Sequence, residues 1–375
     1  MIAVLALGAG TGETGLLVAM QALPFLLLSF PAGVLADRMP RRVLMTVAEV
    51  LRALALLTLP ILAAFELLSV PVLAVLGFAA ATGTVVFSVA APALVPSLVP
   101  REMLARANGA LELARSLAFA AGPALAGALV GWAGASQTFM LAAALSMLAA
   151  LFLIQVPEAP RPRLPERHFW RDLKEGAAFA WMHPLLRPIL LTAVAWNLAW
   201  FVLQAAYVPY AVRELGLSAA AVGSTMAAYG VGMVVGALAA PRVMRLLHFG
   251  HAVLLGPAMS VLAMELMVAT LALPRGELAA LSFFCFGAGP IIWTISTTTL
   301  RQALTPPAMM GRVNAIFLTV NAGARPVGAA IGGAVGAAFG EAACLWLALA
   351  GFVLQACIIL ASSLAGLRRL PAPAT

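Results

Sequence analysis

Of the 375 residues, 63% are hydrophobic and only 10% charged, against about 45–50% and about 25% in an ordinary soluble domain. So few polar residues cannot cover that much apolar surface in water, which excludes a water-soluble globule. The formal net charge of +8 comes from arginines scattered between apolar runs, a distribution that suits membrane topology better than nucleic-acid binding.

With a bilayer as the outer solvent, backbone groups must be satisfied within the spanning structure, leaving helices or closed barrels. Continuous apolar runs of about 20 residues, without strand-like alternation, select helices. The first residues, MIAVLALGAG, read as the end of a helix too short to span. Apolar segments follow at 14–36, 43–65, 70–95, 109–132 and 136–156, then at 186–211, 219–245, 250–273, 277–302, 313–338 and 342–366. Eleven full crossings are therefore expected. No basic leader or small-residue cleavage site marks the first as a signal peptide.

Arginine and lysine set the orientation. Alternate connections carry Arg38, Arg41 and Arg42; Arg101 and Arg106; Arg161, Arg163, Arg167, Arg171 and Lys174; Arg242 and Arg245; Arg312; and Arg368 and Arg369. The opposite connections carry only Arg213 and Arg275. The first set is expected in the cytoplasm of a cell whose inner membrane the chain crosses, with the C-terminus inside.

One long polar stretch, 157–185, separates the halves. It opens Pro-rich, and Trp170, Leu173, Ala177 and Trp181 then recur at helical spacing, as expected of a helix lying in the interface. The halves resemble each other. At an offset of 206, VPREMLARANGALELARSLAFAAGPALAGALVG from Val99 aligns with TPPAMMGRVNAIFLTVNAGARPVGAAIGGAVG from Thr305, pairing Arg106 with Arg312, Gly122 with Gly328 and Gly127 with Gly333. Two parallel six-helix halves suit a rocking transporter. The expected domains are a bundle at 1–156, a cytoplasmic linker at 157–185, a second bundle at 186–367 and a tail at 368–375. The first half is about one helix shorter than the second, so its first helix reads as truncated.

Between the first two full segments the chain reads GVLADRMPRRVL, from Gly33 to Leu44. A tight turn holding one acid among several arginines can pair in one conformation and release in another. The stretch resembles the signature loop G-x-L-A-D-R-x-G-R-R of the major facilitator superfamily. Gly33, Asp37, Arg38, Arg41 and Arg42 match, and Pro40 replaces a glycine. The resemblance implies a conformational latch. The corresponding GALAAPRVMRL from Gly236 has Ala240 in place of the acid, which makes any latch one-sided.

AGPALAG is similar to the proline–glycine motif of the superfamily's antiporters, matching at Gly122, Pro123 and Gly127 but with Ala126 and Leu113 in place of glycines. Pro123 bends the helix and the glycines admit a close neighbour. With the helix-five approach and the RDLKEGAAF stretch, nearly the whole chain resembles the branch of siderophore exporters and macrolide or multidrug pumps. That resemblance implies an all-α polytopic major facilitator fold of two pseudo-symmetric bundles, and export of hydrophobic drugs or siderophore-like molecules by a monomer that draws on the proton gradient.

Intramembrane charges are costly and point to function or to pairing. Glu49 with Arg52 and Glu112 with Arg115 stand at i, i+3, where each pair can neutralise itself. Glu265, near the middle of its segment, is either a proton carrier or a structural acid. Arg325, in a helix expected to line the cavity, would hold an anionic substrate or pair with an acid. Other cavity candidates are Gln21, Asn197, Gln204, Tyr207, Trp293 and Asn321. The cysteines Cys285, Cys344 and Cys357 lie in apolar segments without metal spacing, and His168, His183, His248 and His251 lie in or beside cytoplasmic loops, so no metal is expected. No nucleophile–base pair or phosphate loop suggests an enzyme. The same fold would serve an uptake carrier, and a truncated first helix would also suit a non-transporting membrane protein.

Overall fold

The computed structural model describes residues 2–29, 31–32, 35, 39–94, 98, 104–158, 169–306 and 309–368, and among these there are helices and no strands. The helices are α1 (Ile2–Leu7), α2 (Thr11–Leu27), α3 (Arg41–Ala64), α4 (Val70–Leu94), α5 (Leu104–Ile154), α6 (Phe169–Met182), α7 (Leu186–Arg213), α8 (Ala219–Leu246), α9 (Phe249–Ala269), α10 (Gly276–Leu304) and α11 (Met310–Leu360). Eight of them have the length and apolarity to cross a membrane. On α3, Val47, Leu51, Leu54, Leu57 and Ile61 are exposed at three- and four-residue steps. Such a stripe is unfavourable in water and favourable against lipid. The chain is a multi-pass membrane protein.

The eleven apolar runs appear here as fewer, longer helices, because two of the expected loops shrink to one residue each. Helix α5 breaks only at Gly134 (φ 85°, ψ 170°) and α11 only at Gly340 (φ 81°, ψ 174°). Both angles fall in a region essentially confined to glycine, which turns the chain without a connecting loop. Each glycine lies between two of the runs expected from sequence, 109–132 and 136–156, and 313–338 and 342–366.

The other ends follow local chemistry. Gly10 donates its N–H to the Glu13 carboxylate at 2.9 Å, closing the first turn of α2. Ser218 caps α8 by accepting the Ala221 N–H at 3.3 Å. Helix α3 starts after Pro40, which offers no side-chain cap. Its exposed N–H groups are met from far along the chain: Arg41 and Arg42 donate to the two Glu158 carboxylate oxygens at 3.0 and 2.9 Å.

Helices α2, α3, α4 and α5 pack on one another, as do α7, α8, α9, α10 and α11. Contacts between the two sets run through α2 with α11 and α7, and through α5 with α8. Helix α6 packs on α7 and α11 at the arginine-rich end. Gly176 and Ala180 are buried and the expected Ala177 packs beside them, while the side chains of Trp170 and Leu173 lie outside the described residues. Trp181 is half exposed with the Arg187 guanidinium 4.7 Å from its ring centre, a pairing suited to an interface.

Beyond the adjoining backbone, no atom of the described residues lies within 4 Å of a Cβ placed at Gly134 or Gly340. Alanine there should therefore cost only backbone strain, about 1–3 kcal/mol. Thermal unfolding of the detergent-solubilised protein should show that loss for Gly134→Ala and Gly340→Ala. Gly131→Ala, equally uncrowded but without a positive φ, should show none.

Candidate functional site

Two helix crossings bring the first and second helix sets together at the arginine-poor end. A Cβ on Gly15 of α2 would lie 2.3 Å from the Gly333 Cα of α11, and one on Gly12 would lie 3.0 Å from the Ala337 Cβ. On the other side, a Cβ on Gly127 of α5 would lie 2.6 Å from the Ala219 carbonyl oxygen of α8, and one on Gly223 would lie 2.4 Å from the Pro123 carbonyl oxygen. Side chains of ordinary size cannot enter either crossing without moving a backbone. Pro123 and Gly127 of the antiporter-like motif thus form one of the two contacts, while Gly122 faces open space.

Polar contacts reinforce this end. Thr11 donates its hydroxyl to the Glu341 carboxylate at 2.8 Å. Arg213 reaches the same carboxylate oxygen at 3.4 Å and donates to the carbonyls of Gly8 and Ala9 at 2.9 Å each. One arginine and one acid from the second set therefore grip the turn that precedes α2.

Toward mid-membrane lies a cavity of about 180 Å³ lined by Val18, Gln21, Ala22, Phe25, Phe201 and Arg325. Three helices build it: α2 gives Val18, Gln21, Ala22 and Phe25, α7 gives Phe201, and α11 gives Arg325. The Arg325 guanidinium carbon sits 5.7 Å from the Phe25 ring centre and 5.9 Å from that of Phe201. Its Nε is buried without a hydrogen-bond partner among the described residues. A cation at the centre of a membrane costs at least about 2.5–3.5 kcal/mol even by the mildest scales, so an arginine left in this condition calls for a counter-charge. A second crevice, between Leu62, Pro71, Val72, Val75 and Leu76, is wholly apolar and offers nothing to orient a ligand.

The remaining candidates divide. Gln21 and Arg325 share the cavity. Asn321 stands one turn from Arg325 on α11, its Oδ1 buried without a partner among the described residues. Asn197 is buried and donates to Ala193 of its own helix at 2.9 Å, and Gln204 is half-buried. Tyr207 turns away into the core of the second set, hydrogen-bonded to Thr225 and edge-on to Phe283 at 4.6 Å. Trp293 packs against Gly256 of α9, its indole N–H buried and unpaired among the described residues. These last two are packing residues, because their face of the helix meets its neighbours rather than the cavity. Glu265 is exposed and lies one turn from the end of α9, since that helix stops at Ala269 instead of running to 273.

Glu49 and Arg52 form the expected pair at 3.1 Å, with the Glu49 side chain 5% exposed and Arg52 25%. The side chains of Glu112 and Arg115 lie outside the described residues, as do Gly33, Asp37 and Arg38. Of the loop motif, Arg41 and Arg42 are seen. The Arg42 guanidinium donates to the Val156 carbonyl at 3.2 Å, and both backbone N–H groups go to Glu158. Sequence reasoning missed Glu158, Phe25, Phe201 and Glu341. A usable signal existed for Glu341, an acid directly after Gly340 at the end where Arg213 is one of two basic residues.

The profile of the transmembrane secretion effector family, a branch of the major facilitator superfamily, matches residues 4–371. The chain belongs to that family. Among curated relatives, the MFS-type transporter y4rN of Sinorhizobium fredii is 32% identical over 266 residues, 68% of this chain and 64% of that protein, so the match spans less than two thirds of that relative. The enterobactin exporter EntS of Citrobacter koseri is 29% identical over 333 residues, 87% of this chain and 77% of that one. Solved structures share the fold at low identity. The nucleoside transporter NupG has a TM-score of 0.75 at 12% identity, covering 96% of this chain and 92% of that one. A bacterial homologue of the iron transporter ferroportin has 0.73 at 17%, covering 96% and 92%. This member of the superfamily is a secondary transporter with the major facilitator fold.

Removing one partner of a buried pair strands the other, whereas replacing both with apolar groups does not. Glu49→Leu should therefore destabilise the solubilised protein by about 1–3 kcal/mol. The double change Glu49→Leu with Arg52→Leu should recover most of that loss in the same melting assay.

Proposed function

We propose that the protein is a proton-coupled exporter that moves hydrophobic drugs or siderophore-like small molecules out of the cell by alternating access. The supporting observation is a cavity holding a lone cation and two aromatic rings, closed at one end by two glycine crossings and the Arg213–Glu341 grip. The arginine distribution makes the closed end the outer one. In a bacterial inner membrane the C-terminus is then cytoplasmic, and the cavity is in its inward-directed state. The halves that rock are the bundles at 1–156 and 186–367, tied by the cytoplasmic linker.

The strength of the closure suits a cycle. Each hydrogen bond of the grip is worth about 0.5–1.5 kcal/mol net, and the partly exposed ion pair less than about 1 kcal/mol. Such a closure holds one state without trapping it. At the cytoplasmic end the loop of Gly33, Asp37, Arg38, Arg41 and Arg42 is the counterpart that holds the opposite state, with Glu158 anchoring the start of α3. Export follows from kinship with the EntS proteins, which are named as enterobactin exporters, and from the Gly122–Gly127 motif.

In cells expressing the gene, a hydrophobic dye or a siderophore should leave faster than from cells without it. A protonophore should abolish the difference, and Asp37→Asn should weaken it severalfold. Accumulation inside the cell would overturn export, and insensitivity to the protonophore would overturn proton coupling.

The grip makes its own prediction. With native cysteines removed and Val18→Cys introduced, an impermeant maleimide added from outside should react slowly. Glu341→Ala or Arg213→Ala should speed labelling by about tenfold, the population change that 1.4 kcal/mol brings.

A further inference from the structure

We infer that the cavity beside Arg325 is a binding site for an aromatic carboxylate, with the carboxylate on the guanidinium and the ring beside Phe25 and Phe201. The assignment rests on the transporter reading only in calling the occupant a substrate.

Charge comes first. Arg325 stands about 15 residues from either end of the 310–339 arm of α11, or about 22 Å at 1.5 Å per residue. Neither end of the arm is within reach of its side chain. Among the described residues no carboxylate pairs with it, and its Nε has no acceptor. The next residue, Pro326, has no N–H, so the chain around Arg325 also leaves the Ala322 carbonyl without its usual helical donor. A desolvated cation in such a place attracts an anion and rejects a cationic ligand. A guanidinium presents parallel N–H donors in the geometry of a carboxylate, so a carboxylate fits better than a spherical anion.

Shape comes second. A 150 Å³ apolar cavity in another protein takes up benzene. At about 180 Å³, this cavity has room for one ring with a carboxylate attached. Phe25 and Phe201 flank the guanidinium within the 6 Å reach of cation–π contact, so they hold its plane while offering ring faces and edges to a guest. Gln21 completes the lining with an amide that can donate to a second carboxylate oxygen. Asn321, one turn from Arg325, has a carbonyl oxygen without a partner among the described residues, which suits a ring hydroxyl. Because α2 supplies one ring and α7 with α11 the other ring and the charge, the guest touches both helix sets. Its binding therefore depends on how they stand relative to each other.

The purified full chain in nanodiscs, with no gradient applied, tests the assignment through ligand-induced shifts in melting temperature. The probes are benzoate and its neutral isostere benzamide, each titrated to millimolar concentration. Benzoate should protect saturably, at a midpoint at least about tenfold below that of benzamide, since tenfold corresponds to the loss of one charge-assisted contact. Arg325→Gln should abolish the preference for benzoate, and Arg325→Lys should keep the preference with weaker binding. Phe201→Leu should weaken benzoate severalfold while leaving the preference in place, and it serves where Arg325→Gln does not fold. Equal protection by the two probes, no protection by benzoate, or an unchanged preference in Arg325→Gln would overturn the site. Any of those results leaves transport intact with a neutral substrate, because the export assay in cells is read independently of benzoate.

Discussion

Backbone contact between α2 and α11, and between α5 and α8, sets the geometry of everything around it. Gly15 meets Gly333 and Gly127 meets Gly223 at distances that leave no room for a Cβ on Gly15, Gly127 or Gly223 and little for one on Gly333. In lipid there is no hydrophobic force to drive helices together, because the tails are as apolar as leucine. Small residues that allow close approach take its place through van der Waals contact. The two crossings are equivalent members of the internal repeat, since Gly127 and Gly333 stand at the same position of the two halves. Closure at this end is therefore nearly symmetric, with one crossing from each half of the repeat.

From that apposition the rest follows. It carries the turn at Gly8 and Ala9 within reach of Arg213, and Thr11 within reach of Glu341. It also brings Phe25 and Gln21 of α2 opposite Phe201 and Arg325. The crossings are permissive and carry no charge, so they can separate without stranding a buried polar group. The grip is polar and partly exposed, so water can replace its partners when it opens. A ligand that neutralises Arg325 changes the relative free energy of the states by its differential affinity for them, and by no more than that.

Composition and patterning carried the architecture. Apolar runs located the helices, and the constant offset between halves identified the repeat. Glycines fell in the gaps between runs that the structure bridges with single residues, Gly134 and Gly340. Side-chain direction was not legible in the same way. Tyr207 and Trp293 are polar-tipped aromatics in helices of the expected type, yet a shift of one or two residues around a helix separates a cavity wall from a packed core. Helix ends were equally hard to place, and with them the depth of Glu265, which moved to the margin once α9 stopped at Ala269. Contacts across long separations left only compositional traces. Glu341 is 128 positions from Arg213, and Glu158 is 117 positions from Arg41, so neither pairing shows in any local window.

The two acids that sequence reasoning passed over are complementary. Glu158 stands at the start of the linker, and its carboxylate receives the first N–H groups of α3, where the helix dipole favours a negative charge. Glu341 follows the glycine break in the second half and receives Thr11 and Arg213. One acid ties the linker to the arginine-rich end of the first helix set, and the other bridges the sets at the arginine-poor end.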